Sequence, residues 1–215
     1  METLTAAQIA GQAGLEDWRV VRGALRTSFA TPDMSAGAEL VRRVVEAANE
    51  ANHHPDLGVR YSRVLVDLVT HDAGGLTLKD VEMARTISDI AAGLGLRAEP
   101  EVRQVLEVCV DALDIDAVRP FWEAVTGFDV DEAGNLVDTT TGSGSLWFQQ
   151  MDAPRPQRNR LHVDIDVPLE VVEGRLAAAL DAGGVLVSAS SAPAFWVLAD
   201  PEGNEACLST SAGRD

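Results

Sequence analysis

Apolar and polar positions along this chain follow two periods, one helical and one strand-like. Between Ser35 and Ala51 the apolar residues Val41, Val44, Val45 and Ala48 recur every three or four positions, which predicts an amphipathic helix. Thr77–Gly93 repeats that spacing through Met83, Ala84, Ile87, Ile90 and Ala91, with Leu94 just beyond. Between the two, Tyr61–Val69 alternates, placing Val64, Val66 and Leu68 on one side as in a half-buried strand. Upstream, Leu4–Ala13 predicts a short helix capped by Thr5. Trp18–Val21 and Ala24–Ala30 flank Gly23 as two strands joined by a tight turn. The run Asn52-His53-His54-Pro55-Asp56 stops the first long helix, because proline disfavours the α conformation in the residue before it. Asp72–Gly75 reads as a loop.

The helical period lapses from Leu94 to Glu101, and Pro100 breaks whatever precedes it, so a boundary is placed there, with domains at 1–97 and 103–211. Beyond it, Val105–Val110 predicts a strand, Ile115–Val125 a helix, and Leu136–Val137 and Leu146–Gln150 short strands. After the polar, proline-containing stretch Met151–Arg158 the series recurs. Leu161–Val167 is a strand, Leu169–Ala182 a helix, and Val185–Ala189, Phe195–Ala199 and Ala206–Ser209 are strands. A strand, a helix and further strands, then the same again, is an internal structural repeat.

Composition narrows the class. The 215 residues are 46% hydrophobic and 24% charged, as in an ordinary soluble globular protein. The net charge of −17 is uneven: residues 1–100 hold 10 Lys and Arg against 14 Asp and Glu, residues 101–215 hold 7 against 20. Such an acidic surface repels phosphate backbones, which argues against a nucleic-acid partner. No apolar run approaches the ~20 residues of a membrane span. Met1–Leu15 lacks the basic and apolar segments of a signal peptide, so a cytoplasmic protein without a membrane partner is expected. Cys109 and Cys207 stand far apart in apolar runs; they make no disulfide framework and are expected to be buried thiols.

Three of the four histidines, His53, His54 and His71, fall within 19 residues. Imidazole both gives and takes protons near neutral pH. A helix end and a strand end that meet would set these rings around one cleft. Two other readings stand beside that one: unrelated surface or core histidines, and a zinc triad. Neighbouring residues of an extended chain point to opposite sides, so His53 and His54 do not easily serve one metal.

The run from Asn52 to Asp56, then Tyr61, Thr70-His71-Asp72, Gly74-Gly75-Leu76-Thr77 and Asp80 resembles the signature of the pterin-4a-carbinolamine dehydratase family. Asp17-Trp18-Arg19-Val20-Val21-Arg22-Gly23-Ala24-Leu25 resembles that family's first hairpin, and the likeness covers residues 4–94. It implies an α+β fold with helices on one face of an antiparallel sheet, assembled as a homo-oligomer, a dimer or tetramer. It also implies a hydro-lyase that dehydrates 4a-hydroxytetrahydrobiopterin to the quinonoid dihydropterin in pterin recycling, with no metal or organic cofactor. On this resemblance His53 and His71 form the acid–base pair and His54 positions the small-molecule pterin substrate. Asn52, Pro55, Tyr61, Thr70, Asp72 and Asp80 line or support the pocket. Some relatives carry acids where this chain has Asn49 and Asn52, and an arginine where it has Lys79. Amides keep the hydrogen bonding there but lose the charge.

Asp114, Phe121-Trp122 and Gly127-Phe128 resemble the first module of the vicinal-oxygen-chelate superfamily. Arg160-Leu161-His162-Val163-Asp164 with Asp200-Pro201-Glu202-Gly203-Asn204-Glu205 resembles the second module of its glyoxalase-like branch. The likeness implies paired βαβββ modules around a central pocket; Trp122, Trp147, Phe148 and Trp196 either line an apolar pocket for a second small ligand or, more commonly for such residues, pack between the modules. Relatives commonly bind a divalent metal; the matching positions here are Glu107, Gln149 or Gln150, His162 and Cys207. That set is weak for an oxygen-preferring metal, and none is expected. The alternatives to a dehydratase are therefore a metal-dependent lyase or dioxygenase in the second part, or a non-enzymatic small-molecule-binding protein.

Overall fold

The computed structural model describes residues 2–142, 144–154 and 161–212. Part of the stretch Met151–Arg158, and Arg160 of the second-module motif, lie outside the described residues. The chain forms two compact units, Met1–Val105 and Leu106–Asp215.

The first unit opens with α1 (Ala6–Ala10), held by the Thr5–Gln8 capping box. Strands β1 (Arg19–Val21) and β2 (Ala24–Ala30) follow as an antiparallel hairpin. Both residues of its turn, Arg22 and Gly23, have positive φ, the conformation whose twist matches the flanking strands. Next come α2 (Met34–Ala51), β3 (Asp56–Arg60), β4 (Arg63–Leu68), α3 (Leu78–Gly93) and β5 (Arg97–Ala98). The sheet runs β1-β2-β4-β3, antiparallel throughout, with β5 also paired to β2.

Register explains the core. Leu25 stands opposite Leu68, Thr27 opposite Val66 and Phe29 opposite Val64, so one sheet face is apolar except for the buried Thr27 hydroxyl. Leu40, Val44 and Ala48 of α2, with Val81, Ala84 and Ile87 of α3, cluster with that face and are almost fully buried. The helical period over 35–51 holds, but Val45 is 43% exposed and Leu40 takes the core place. Tyr61 stands outside any strand, in the turn between β3 and β4, and the strand over 61–69 is shortened to Arg63–Leu68. The segment after Leu94 is structured and belongs to this unit. Glu99 N–H donates to Ser28 O at 2.6 Å, and Asp67 of β4 pairs with both Arg26 and Arg103.

The second unit is a repeat. Strand β6 (Glu107–Ala112), helix α4 (Ile115–Thr126), and strands β7 (Asp129–Val130), β8 (Leu136–Val137) and β9 (Ser145–Gln150) make the first βαβββ module. Strand β10 (Val163–Asp166), helix α5 (Leu169–Asp181), and strands β11 (Val185–Ser188), β12 (Phe195–Ala199) and β13 (Glu205–Ser209) make the second. In each the first strand lies parallel to the last: the orders are β6-β9-β8-β7 and β10-β13-β12-β11. Phe121 and Trp122 of α4 stack edge to face in a core shared with Val172 and Ala179 of α5. The indole of Trp122 donates to buried Asp200 at 3.0 Å, and Asp200 also accepts from Glu202 N–H and from the backbone and side-chain amides of Asn204. The Asp-Pro-Glu-Gly-Asn motif is thus a turn pinned to the core. Cys207 is buried, but Cys109 is exposed, against expectation, because β6 turns Val108 and Val110 toward the helices and the intervening residue away.

No helix among the described residues is long and apolar enough to cross a membrane.

Candidate active site and second-unit cavity

The site of the first unit forms where α2 ends, β4 ends and α3 begins. Helix α2 is terminated by Asn52, whose left-handed backbone (φ 46°, ψ 47°) is one asparagine tolerates. The stop thus falls three residues before Pro55, set by a C-cap rather than by the proline. His53 N–H then donates to Ala48 O at 3.1 Å, closing the helix end, and the ring of His53 is buried. Its Nε2 lies 2.8 Å from Asp80 Oδ1.

Asp80 is fully buried in the first turn of α3. Its Oδ2 accepts from Thr77 N–H at 2.7 Å, the reciprocal half of a capping box, and from the Thr70 hydroxyl at 2.7 Å. The Thr77 hydroxyl sits 2.8 Å from Thr70 Oγ1 and 3.3 Å from Asp80 Oδ2, and it accepts from Lys79 N–H. A carboxylate has no proton to give, so His53 Nε2 carries the hydrogen toward Asp80. The arrangement fixes both tautomer and ring plane.

The other rings are open to solvent. His54 Nε2 donates to Asn49 Oδ1 at 3.1 Å, so the amide that stands where some relatives have an acid still holds this imidazole. His71 opens a short 3-10 turn, His71–Ala73, that follows Thr70 directly. Paired backbone bonds between Thr70 and Gly75 (3.2 and 3.4 Å) and the left-handed Gly74 close the loop. His53, Thr70 and Asp80 are joined by hydrogen bonds. His71 and Asp72 follow Thr70 in the chain, and Asn52, His54 and Pro55 flank His53.

Tyr61 is not brought to this group. It is 69% exposed at the far end of the β3–β4 hairpin, beyond the Arg60–Arg63 pair, whereas the histidine end is marked by Asp56 opposite Asp67. Four residue steps at about 3.3 Å put these ends roughly 13 Å apart. Within the first unit Tyr61 therefore stands apart from the His53, Thr70 and Asp80 group. Thr77 joins the network although sequence reasoning gave it no site role. Its signal was legible as Thr-x-x-Asp ahead of an apolar run.

A cavity of about 470 Å³ opens in the second unit, walled by Val108, Trp122, Met151, Leu161, His162 and Glu205 among others. Of the four aromatics, Trp122 lines it, while Phe148 and Trp196 pack against the core and Trp147 is 37% exposed. Of the metal positions that the second resemblance implies, His162 and Cys207 come together, while Glu107 and Gln150 bond elsewhere. Glu107 accepts from Ser145 Oγ at 3.3 Å, and the Gln150 amide is spent on the carbonyls of Leu113 (2.8 Å) and Met151 (3.0 Å). Asp164 joins those two, and the ligand atoms of His162, Asp164 and Cys207 lie within 4.8 Å of one another.

An antiparallel sheet backed by helices, with a buried carboxylate bonded to one imidazole, defines the first unit as a small α+β fold. The comparisons show its family. The family model described as pterin 4 alpha carbinolamine dehydratase matches residues 2–90, and one described as a glyoxalase-like domain matches residues 107–209. A Thermosynechococcus vestitus protein, provisionally named pterin-4-alpha-carbinolamine dehydratase, is 42% identical over 91 residues, covering 42% of this chain and 96% of that protein. Among solved structures, a Brucella melitensis protein described as a transcriptional coactivator/pterin dehydratase is 31% identical, covering 42% of this chain and 99% of its own (TM-score 0.40). A glyoxalase/bleomycin resistance protein from Albidiferax ferrireducens is 18% identical, covering 48% of this chain and 95% of its own (TM-score 0.40). Through its first unit the chain belongs to the pterin-4a-carbinolamine dehydratase family, a family of hydro-lyases, and it carries a glyoxalase-like second unit.

Proposed function

We propose that the first unit dehydrates a 4a-hydroxytetrahydropterin to the quinonoid dihydropterin, in the recycling of the pterin cofactor. The observation that carries this reading is the buried Asp80 carboxylate, which fixes the His53 ring through Nε2 and ties it to Thr70, the residue next to His71. In the reaction the C4a–O bond breaks and the oxygen leaves as water with a proton supplied by one imidazole. The other imidazole takes the N5 proton, and the electron pair of that N–H bond forms the C4a=N5 double bond. Each such transfer by a positioned side chain is worth about 10²–10⁴-fold.

His53 and His71 form the acid–base pair. His53 exchanges its proton at Nδ1, since Nε2–H is committed to Asp80. His54, held by Asn49, positions the pterin, with Asn52, Pro55 and Asp72 around it. Asp80 and Thr70 act through His53 as positioning residues. No step needs a metal or organic cofactor, because both charge changes are proton transfers. Assembly of the family unit as a homo-oligomer belongs to the same reading and is checked by light scattering.

The test is turnover in single variants. His53→Ala and His71→Ala each lose about 10²-fold or more in kcat, and His54→Ala raises KM more than it lowers kcat. Wild-type rates in folded His53→Ala or His71→Ala protein would sink the reading.

A further inference from the structure

We propose that strand β11 is a docking edge on which a second copy of this chain pairs, strand to strand and antiparallel, across a twofold axis. Within the second unit β11 ends the sheet order β10-β13-β12-β11, and among the described residues it pairs with β12 alone. Its outer edge thus presents a row of N–H and C=O groups, the ordinary template for a further strand. The side chains agree with that use. Val185, Leu186 and Val187 are all between 43% and 58% exposed, so the strand is apolar toward both faces of the sheet and buries neither. A half-buried strand with water as its only other neighbour would alternate apolar with polar residues. The register shift between Leu186 and Ser188 makes Val187 the extra residue of a bulge, which confines a partner's ladder to a few bonds.

The repeat supplies an internal comparison. Strand β7 holds the equivalent edge of the first module, at the end of the order β6-β9-β8-β7, and its Val130 is 47% exposed. There Asp129, Asp131 and Glu132 surround the valine. Charges on an edge hold off a second strand. Strand β11 has no such guard: residues 182–199 contain no Asp, Glu, Lys or Arg. Of the acids that bound this run, Asp200 is buried under the Trp122 indole. Two copies carry −17 each and repel wherever their acids meet, while salt screens charges more than ~10 Å apart. The β11 edge is therefore a place where like chains can approach. The same lack of charge decides the occupant. A basic or acidic partner would be met by opposite charge, whereas two β11 strands on a twofold axis set identical apolar residues against one another. So short a ladder makes an interface below the ~1,200 Å² of the smallest stable complexes, and the contact is weak and concentration-dependent.

This surface lies in the second unit and is separate from the assembly of the first, so the two can fail independently. Two different twofold contacts on one chain close into a tetramer or extend into an open array, and losing one at least halves the mass. Light scattering is run on the full chain over a concentration series, for wild type, Val187→Lys and Val130→Lys. At the highest concentration Val187→Lys is expected to lower the mass at least about twofold, and Val130→Lys to leave it unchanged. Carbinolamine turnover is read on the same samples, so a failed dehydratase reading leaves this result intact. A second measurement uses Cys109→Ser protein carrying either Val187→Cys or Val130→Cys, treated with a short bismaleimide. Val187→Cys should yield a linked dimer on a denaturing gel, and Val130→Cys and the Cys109→Ser parent should not. Circular dichroism checks the fold; should Val187→Lys not fold, the cysteine pair carries the test. An unchanged mass in folded Val187→Lys, or equal cross-linking at both edges, would overturn the proposal.

Discussion

Replacing Asp80 by asparagine separates what this residue does for the fold from what it does for chemistry. The carboxylate accepts from His53 Nε2 on one oxygen, and from Thr70 Oγ1 and Thr77 N–H on the other. Asparagine keeps the size and one oxygen. Two N–H or O–H donors converge on the Oδ2 side, so the retained oxygen settles there, preserves the cap of α3, and turns the amide NH₂ toward His53. The ring must then present a lone pair at Nε2 and move its hydrogen to Nδ1. That is the opposite tautomer, and it removes Nδ1 as the free proton-exchanging atom. Hydrogen bonds to a charged acceptor are worth about 1.5–3 kcal/mol against ~0.5–1.5 for neutral ones, so the variant loses roughly 1–3 kcal/mol of stability and stays folded. Turnover should fall much further, by about 10²–10⁴ in kcat, with KM little changed. The assay is the decay of enzymatically generated carbinolamine, paired with thermal unfolding and with ¹⁵N chemical shifts of the His53 ring to read the tautomer. Near-wild-type kcat in Asp80→Asn, or an unchanged His53 tautomer, would refute the reasoning.

Other expectations follow from the same structure. Tyr61→Ala should leave kcat and KM within about twofold of wild type, because the side chain stands in the turn at the hairpin end away from the histidines; a large loss in the same turnover assay would restore its pocket role. Asp200→Ala strips buried partners from the Trp122 indole and the Asn204 amides, and should destabilise the second unit by about 2–4 kcal/mol in denaturant unfolding while carbinolamine turnover persists. Desolvation, and then the neighbouring Asp111, push the Cys109 thiol up from its ordinary range, so it stays protonated at neutral pH. Alkylation by iodoacetamide should accordingly be slower than for a free cysteine and quicken as pH rises; fast labelling at pH 7 would contradict this. On α2, hydrogen bonds from Arg42 and then Arg43 lower the Glu39 carboxyl from 4.5 to about 2. A depressed folded-state value stabilises above the unfolded value and is lost as pH falls through about 2, so Glu39→Gln should narrow the acid-stability margin in a pH titration of helicity.

What could be read in the sequence was governed by how local each determinant is. The two long helices and the doubled strand–helix–strand series follow from apolar spacing within single segments, and they appear as α2, α3 and the two βαβββ modules. Strand β3 escaped because Asp56–Arg60 holds only Leu57 and Val59 around Gly58 and lies at the sheet edge, where no alternating buried face is demanded. Strand β7 is two residues long, too short to show a period. At the site, the residue types of the histidine trio were visible, and so was the Thr77–Asp80 cap. The bond from Asp80 to His53 spans 27 positions and exists only once α2 and α3 pack together.

The most direct test of the central claim is the first-order loss of 4a-hydroxytetrahydrobiopterin, followed by absorbance with and without the purified chain under metal-free conditions. The account predicts acceleration proportional to enzyme concentration that survives chelator. Folded protein that leaves the uncatalysed rate unchanged, or that accelerates it only when metal is added, would contradict it.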